Sequence, residues 1–392
     1  IGLGSLDPVR SLLAFDWGDS AAGSVLKENA RMFWLLALFA YAWIASTLPV
    51  QRLLQPRDAI NSHQLFLAMG GLLAGILVAA FNGSTQLDIV APAINQNPPA
   101  DAPFLFPFLF ITIACGAISG FHCMVASGTT SKQLESESHV RSIGYGAMIL
   151  EGGLAAVVIL CCISSAGFVD TAAWTAKYSS NWVGSDSLLD RLSGFIYGGA
   201  TFIQQVVPFF SIEFLASVVT VVIISFAATT MDSATRIQRY VVEEIGHSLG
   251  IRSLQNRQIS TAFAVLSAAA LALLAGKGGT GGLVLWPIFG VTNQLLASLT
   301  LVVLSTWQAR RGKPVLPTLI PLVFLSLIVG WAAVSQMKGL LNEAAIPWQQ
   351  VIILGFGMLL QVWMLIEGWL ALTGAATAGK VDKDGIVHSE TV

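Results

Sequence analysis

Polar and ionisable side chains in surroundings too apolar to solvate them mark where this chain could do chemistry. The first such place is SGFHCMVASGTTSKQL, residues 119–134, where an apolar run gives way to Ser127, Gly128, Thr129, Thr130, Ser131 and Lys132. A helix end there, offering free backbone amides, hydroxyls and a lysine, suits an anionic substrate group such as a carboxylate. The same residues also read as the N-cap of a short cytoplasmic helix. The second is LWPIFGVTNQLL, residues 285–296, in which Pro287 and Gly290 interrupt an apolar stretch just ahead of Thr292, Asn293 and Gln294. Neighbouring Asn and Gln cannot share one helix face, so at least one is expected to point to protein or water. Substrate or ion binding and plain interhelical packing both account for them. Glu151 stands in GYGAMILEGGLAAVVIL with no base beside it, the pattern of a proton carrier or ion ligand, although its place in the first third of the run also allows snorkelling. In TTMDSATRIQRYVVEEIG, residues 229–246, Asp232 and Arg236 have the i,i+4 spacing of an ion pair, serving as a gate or as a structural clasp. His122 lies beside the first segment and could titrate near neutral pH, or could simply pack and hydrogen-bond.

No nucleophile elbow, phosphate-binding loop or HExxH helix is present, so the sequence offers no catalytic constellation and implies no cofactor. Cys115, Cys123, Cys161 and Cys162 all lie in apolar runs, without the spacing of metal ligands or of a secreted disulfide framework. No metal site is expected. The 20 Lys and Arg occupy short connections and the net charge is -2, which argues against a nucleic-acid partner.

The elements that must hold these residues are membrane helices. Hydrophobic residues make up 55% of the 392 and charged ones 11%, against about a quarter charged in soluble domains. Apolar runs of span length fall near 32–50, 64–82, 104–127, 143–166, 210–231, 259–275, 283–307, 315–336 and 348–373. The expected fold is therefore an all-α polytopic membrane helix bundle with about nine transmembrane helices and the lipid bilayer as its surroundings. A shorter, more polar stretch, 192–207, reads as interfacial or re-entrant. One set of alternate loops carries Arg52 and Arg57, Lys132 and Arg141, Arg236, Arg239, Arg252 and Arg257, Arg310, Arg311 and Lys313, and the tail residues Lys380 and Lys383. The opposite loops carry only Lys177, Arg191, Lys277 and Lys338, while the leading segment adds Arg10, Lys27 and Arg31 beside four acids. Short cytoplasmic loops are enriched in Lys and Arg. Residues 1–31 are thus expected to be non-cytoplasmic, 32–373 to form the transmembrane domain, and 374–392 to be a cytoplasmic tail. Trp34, Trp286 and Trp348 near one end of their spans, and Trp307 and Trp369 near the other, mark the interfaces. Gly71 with Gly75, and Gly116 with Gly120, have the spacing that lets helices approach closely.

Five segments, in order, closely resemble the carbon starvation protein A (CstA) family: PVQRLLQPRDAINS at 49–62, FPFLFITIACGAISGFHCMVASGTTSKQL at 106–134, IGYGAMILEG at 143–152, TTMDSATRIQRYVVEEIG, and LWPIFGVTNQLLA. The resemblance extends over roughly residues 30–310. It implies a secondary transporter of the inner membrane that takes up peptides or pyruvate under carbon starvation, with proton coupling in pyruvate-type members. It also implies kinship with the amino acid, polyamine and organocation transporters, whose inverted repeats contain discontinuous helices around a mid-membrane site. On that reading residues 127–132, Asn293 and Gln294 lie near the substrate, and Glu151, with His122, near the coupling proton or sodium. The family's further N-terminal membrane region is not found before Ile1, so the chain reads as the larger C-terminal part of a transporter. The connection 167–209 is short beside that of longer members. A membrane nutrient sensor, signalling through a partner docked on 232–258 or on the tail, is the alternative.

Overall fold

Apolar segments can shield their backbone polar groups from lipid only by closing them into helices. The computed structural model, which describes residues 21–95, 98, 104–178, 192–274, 281–343 and 346–377, is built accordingly. Its helices are α1 (Ala21–Thr47), α2 (Val50–Phe81), α3 (Phe110–Ala114), α4 (Gly120–Gly128), α5 (Gly146–Ile163), α6 (Thr171–Tyr178), α7 (Ser193–Val206), α8 (Ile212–Ser248), α9 (Arg257–Leu274), α10 (Trp286–Arg310), α11 (Leu316–Leu341) and α12 (Trp348–Thr377). No strand occurs among the described residues, only an isolated bridge between Ile89 and Ser164. Six helices are long and apolar enough to cross a membrane, and three shorter apolar stretches, Met32–Thr47, Leu105–Ala114 and Arg257–Leu273, take the remaining expected spans. Large apolar side chains such as Leu67, Phe81, Leu327 and Leu359 stand exposed along these helices, a surface that lipid covers and water would not tolerate. Residues 1–20 of the leading segment, the tail from 378 with Lys380 and Lys383, and Arg191 and Lys277 lie outside the described residues.

The chain divides into two compact units: Ile1–Ala102 with Leu134–Gly279, and Pro103–Gln133 with Thr280–Val392. In the first, α7 is the centre, packed against α2, α5 and α8. Leu72, Ala79, Val157, Cys161 and Phe202 form one core cluster there, and Ile196, Ala200, Leu215, Ala216 and Val219 another. Segment 192–207, expected as interfacial or re-entrant, is therefore a short helix packed inside this unit. Its 14 residues span about 21 Å, shorter than a bilayer core, and its glycines, not its polarity, explain it. A Cβ on Gly198 would stand 2.6 Å from the Cys161 carbonyl oxygen of α5, and one on Gly75 of α2 would overlap the Phe202 carbonyl of α7. Backbone meets backbone at both crossings.

Expected span 210–231 also changes. The helix does not stop where the charges begin but runs on through Ser248, 37 residues or about 55 Å. It starts at Ser211, whose hydroxyl accepts from the Phe214 amide at 3.3 Å. Most of the stretch 232–258, expected as a loop, is helical.

In the second unit α10 packs against α4, α11 and α12, and the core runs through Ile111, Ile288, Val291, Leu295, Leu325, Val329 and Leu354. Expected span 104–127 is interrupted: α3 ends at Ala114 and α4 begins at Gly120. The interruption expected at Pro287 does not occur. That proline sits in the first turn of α10, where its missing N–H is no loss, and the helix then runs unbroken past Gly290 to Arg310.

Candidate functional site

Among the described residues each unit holds a cluster of buried polar groups that joins several of its elements. In the second unit the cluster closes the α3–α4 break. Gly116, Ala117 and Ile118 turn the chain with their amides bonded back to Ile113 and Ala114. Ser119 then caps α4, its hydroxyl accepting from the His122 amide at 3.4 Å. From α10 the Asn293 carbonyl oxygen accepts from the Phe121 amide at 2.9 Å, and its amide nitrogen donates to Ser119 Oγ and to Cys115 Sγ, both at 3.1 Å. A break inside an apolar bundle exposes backbone groups that lipid cannot satisfy; the turn and Ser119 take up most of them, and Asn293 accepts from the Phe121 amide. Gly120 lets α10 come this close, since a Cβ there would lie 2.5 Å from the Asn293 carbonyl oxygen. Gln294, fully buried, donates to the Ile111 carbonyl at 3.4 Å, and its own Oε1 is buried without a partner. Both adjacent amides thus face protein, because short helices flank α10 on two sides.

Residues 127–132 differ from the expectation. They form the C-terminal end of α4 and the turn after it, so carbonyls and not free amides accumulate there. The Thr129 amide bonds to the Val125 carbonyl at 2.9 Å and that of Lys132 to Thr129 at 3.2 Å; the hydroxyls of Ser127 and Ser131 turn back to Met124 and Ser127. Neither an N-cap nor a positive helix end is present at this segment, and Lys132 is exposed. Thr129 Oγ1 is buried and unpartnered. His122 is exposed on α4 with its ring beside Phe121.

In the first unit the cluster joins α1, α2 and α8, and it revises the Asp232–Arg236 pair. Asp232, 1% exposed, is ion-paired with Arg57 of α2. Tyr41 of α1 donates to Asp232 Oδ2 at 3.0 Å and accepts from Arg57 Nη1 at 3.0 Å. Arg236 turns instead to the end of α1, donating to the carbonyls of Leu48 at 3.0 Å and Ala45 at 2.6 Å. Free carbonyls at a helix C-terminus attract a cation, and a guanidinium on the neighbouring helix reaches two at once. One to two turns towards the N-terminus of α8, Ser225 donates to Asn61 Oδ1 at 2.6 Å, and Asn61 donates to Thr229. The i,i+4 pair that does form on α8 is Arg239 with Glu243, at 2.7 Å. Glu151, on α5 of this unit, is exposed and forms no ion pair or hydrogen bond among the described residues. No group of three or more potential metal ligands occurs among them.

Arg57, Tyr41 and Asn61 escaped the sequence reading because Arg57 and Asn61 fall in a polar stretch that hydropathy assigns to a loop. The usable signal was the order Arg57-Asp58 and Asn61 one turn later, immediately ahead of an apolar run.

Apolar helices of spanning length, lipid-suited surfaces and buried polar clusters define a multi-pass membrane protein. A family model described as carbon starvation protein CstA matches residues 16–332, and the chain belongs to that family. The peptide transporter CstA of Campylobacter jejuni is 31% identical over 374 residues, covering 80% of this chain and 52% of the relative. That of Bacillus subtilis is 31% identical over 387 residues, 91% of this chain and 62% of the relative. The pyruvate/proton symporter BtsT of Escherichia coli is 29% identical over 356 residues, 76% of this chain and 49% of the relative. The chain thus spans about half the length of most of the relatives it matches. These relatives are named as transporters and not as enzymes. No solved structure matches the chain.

Proposed function

We propose that the protein is a secondary transporter that takes up short peptides or pyruvate across the inner membrane when preferred carbon is scarce. Uptake is coupled to protons and proceeds by alternating access, with the C-terminus in the cytoplasm. Family membership over residues 16–332 carries this reading, since relatives named as peptide transporters and as a pyruvate/proton symporter share the matched region. The interrupted α3–α4 helix is in keeping with it, because transporters that bind polar solutes in mid-membrane use broken helices to bring backbone groups there. Substrate passes beside that break, where Gln294 Oε1 is a buried acceptor with no internal partner. The test is uptake of radiolabelled pyruvate and of a labelled dipeptide by the full-length protein in proteoliposomes, with and without an inward proton gradient. Accumulation of one of them only with the gradient is the expected result. No flux of either would refute the reading.

A further inference from the structure

Resting on the proton-coupled reading just given, we propose that Asp232 is the carboxylate that takes up the coupled proton, exchanging it for the Arg57 guanidinium, which moves to Asp58. Two unequal carboxylates bracket Arg57. Its Nη1 end pairs with Asp232, 1% exposed, and its Nη2 lies 3.6 Å from Oδ1 of Asp58, whose side chain is 38% exposed. The cluster is incomplete as it stands: Asp232 Oδ1 is buried with no partner, and Arg57 Nη2 is buried without a hydrogen bond. One seat for a guanidinium is thus occupied, a second lies beside it at Asp58, whose Oδ1 is likewise buried without a hydrogen bond, and Asp232 keeps one oxygen open.

A carboxylate this deeply buried cannot be left bare, so Arg57 can withdraw only if another positive charge takes its place. Arg236 is not available, being committed to the Ala45 and Leu48 carbonyls. Other described ionisable groups near Asp232 and Arg236 are already engaged, Tyr240 with Arg236 among them. Tyr41 of α1 already donates to Asp232, and Arg239 is paired with Glu243. Arg257 at the start of α9 adds positive charge near Arg236. His63 of α2 is turned to its own Ala59 carbonyl, and α7 carries no charged residue. An open oxygen beside the Arg57 guanidinium disfavours a hydrated metal ion but accepts a proton. In the exchange a proton from water bonds to Asp232 Oδ1, the Arg57–Asp232 ion pair breaks, and Arg57, still charged, closes onto Asp58 Oδ1. Loss of the proton reverses each step. Proton binding thereby removes the ion pair between α2 and α8, leaving the Asn61 contacts with Ser225 and Thr229.

The test uses the full-length protein in proteoliposomes, with labelled pyruvate and a dipeptide as probes and two readouts: accumulation under a proton gradient, and gradient-free counterflow exchange. For one coupled proton, a gradient of one pH unit supports about a tenfold concentration ratio. Asp232→Asn is expected to bring that ratio to about one while exchange persists. The double variant Asp232→Asn/Arg57→Gln, which leaves no unpaired buried guanidinium, should behave alike. Gradient-driven accumulation that survives in Asp232→Asn, or that is lost on Glu151→Gln while surviving in Asp232→Asn, overturns the assignment. If the wild type shows neither exchange nor accumulation, the transport reading fails by itself. Infrared pH-difference spectra of the purified protein then decide on Asp232 alone: a protonated-carboxyl C=O band is expected to disappear in Asp232→Asn and to shift in Asp232→Glu. No such band in the wild type, or one untouched by both substitutions, refutes the exchange.

Discussion

Replacing Asn293 by alanine should detach α10 from the start of α4. Two kinds of bond are lost. The Phe121 amide, now accepted at 2.9 Å, is left with no acceptor in a helix start that lipid and apolar side chains surround, which costs about 1–3 kcal/mol. The side-chain bonds to Ser119 and Cys115 are worth less, roughly 0.6 kcal/mol each, since polar side chains in a membrane find other partners when a helix pair separates. The expected destabilisation is therefore about 2–4 kcal/mol, dominated by the backbone amide. Purified wild type and variant, unfolded by SDS titration in mixed micelles and followed by tryptophan fluorescence, give the difference. Thr292→Ala is the control: its hydroxyl bonds only to Ile288 and Phe289 of its own helix, so a change within about 0.5 kcal/mol is expected. Asn293→Ala and Thr292→Ala giving the same curve would refute the idea that this side chain holds the start of α4.

Two further substitutions separate close approach from mere helix composition. Gly75→Leu places a side chain where α2 touches the Phe202 carbonyl of α7, and folded protein on size exclusion should fall sharply; Gly70→Ala, on the same helix with open space around it, should be neutral or stabilising by up to about 1 kcal/mol. Folded yields that are equal for the two would remove the crossing from the account. Arg236→Met keeps side-chain bulk but strips two donors from the end of α1, with an expected loss of about 2–5 kcal/mol in the same SDS titration. A loss below about 1 kcal/mol would mean that water already serves those carbonyls.

Hydropathy placed the apolar runs on helices, six of them among the described residues long and apolar enough to cross a membrane, because lipid imposes one requirement, an apolar run of sufficient length, and composition records it directly. Helix ends were harder. The run 104–127 reads as one crossing, since Cys115, Gly116 and Ala117 are as compatible with a helix as with a turn, and the start of the second piece is held in part by Asn293, over 170 residues away, which accepts from the Phe121 amide. The same distance problem misassigned Asp232. Its spacing to Arg236 invites a local pair, but a tertiary anion–guanidinium contact with Arg57 and two free carbonyls on α1 outcompete a helix-surface pair worth a few tenths of a kcal/mol. Segment 127–132 was misread through direction: hydroxyls and glycine mark a helix end, but composition does not say which end. The glycine pairs were legible in part, Gly75 and Gly120 being the members that meet another backbone.

The uninterrupted length of α8 has a mechanical consequence. From Ile212 to Ile245 it contains neither proline nor glycine, so it has no built-in joint. Whatever shifts charge at Asp232 must move the whole rod, carrying the Ser225 and Thr229 contacts with Asn61 and the Arg239–Glu243 end together. Against α7 it packs side chains, Leu215, Ala216 and Val219 on Ile196 and Ala200, so the two helices are keyed together at that end. A rod without a joint favours tilting or sliding as a unit over bending, and spectroscopic labels at the two ends of α8 should therefore keep a constant mutual distance through any conformational cycle.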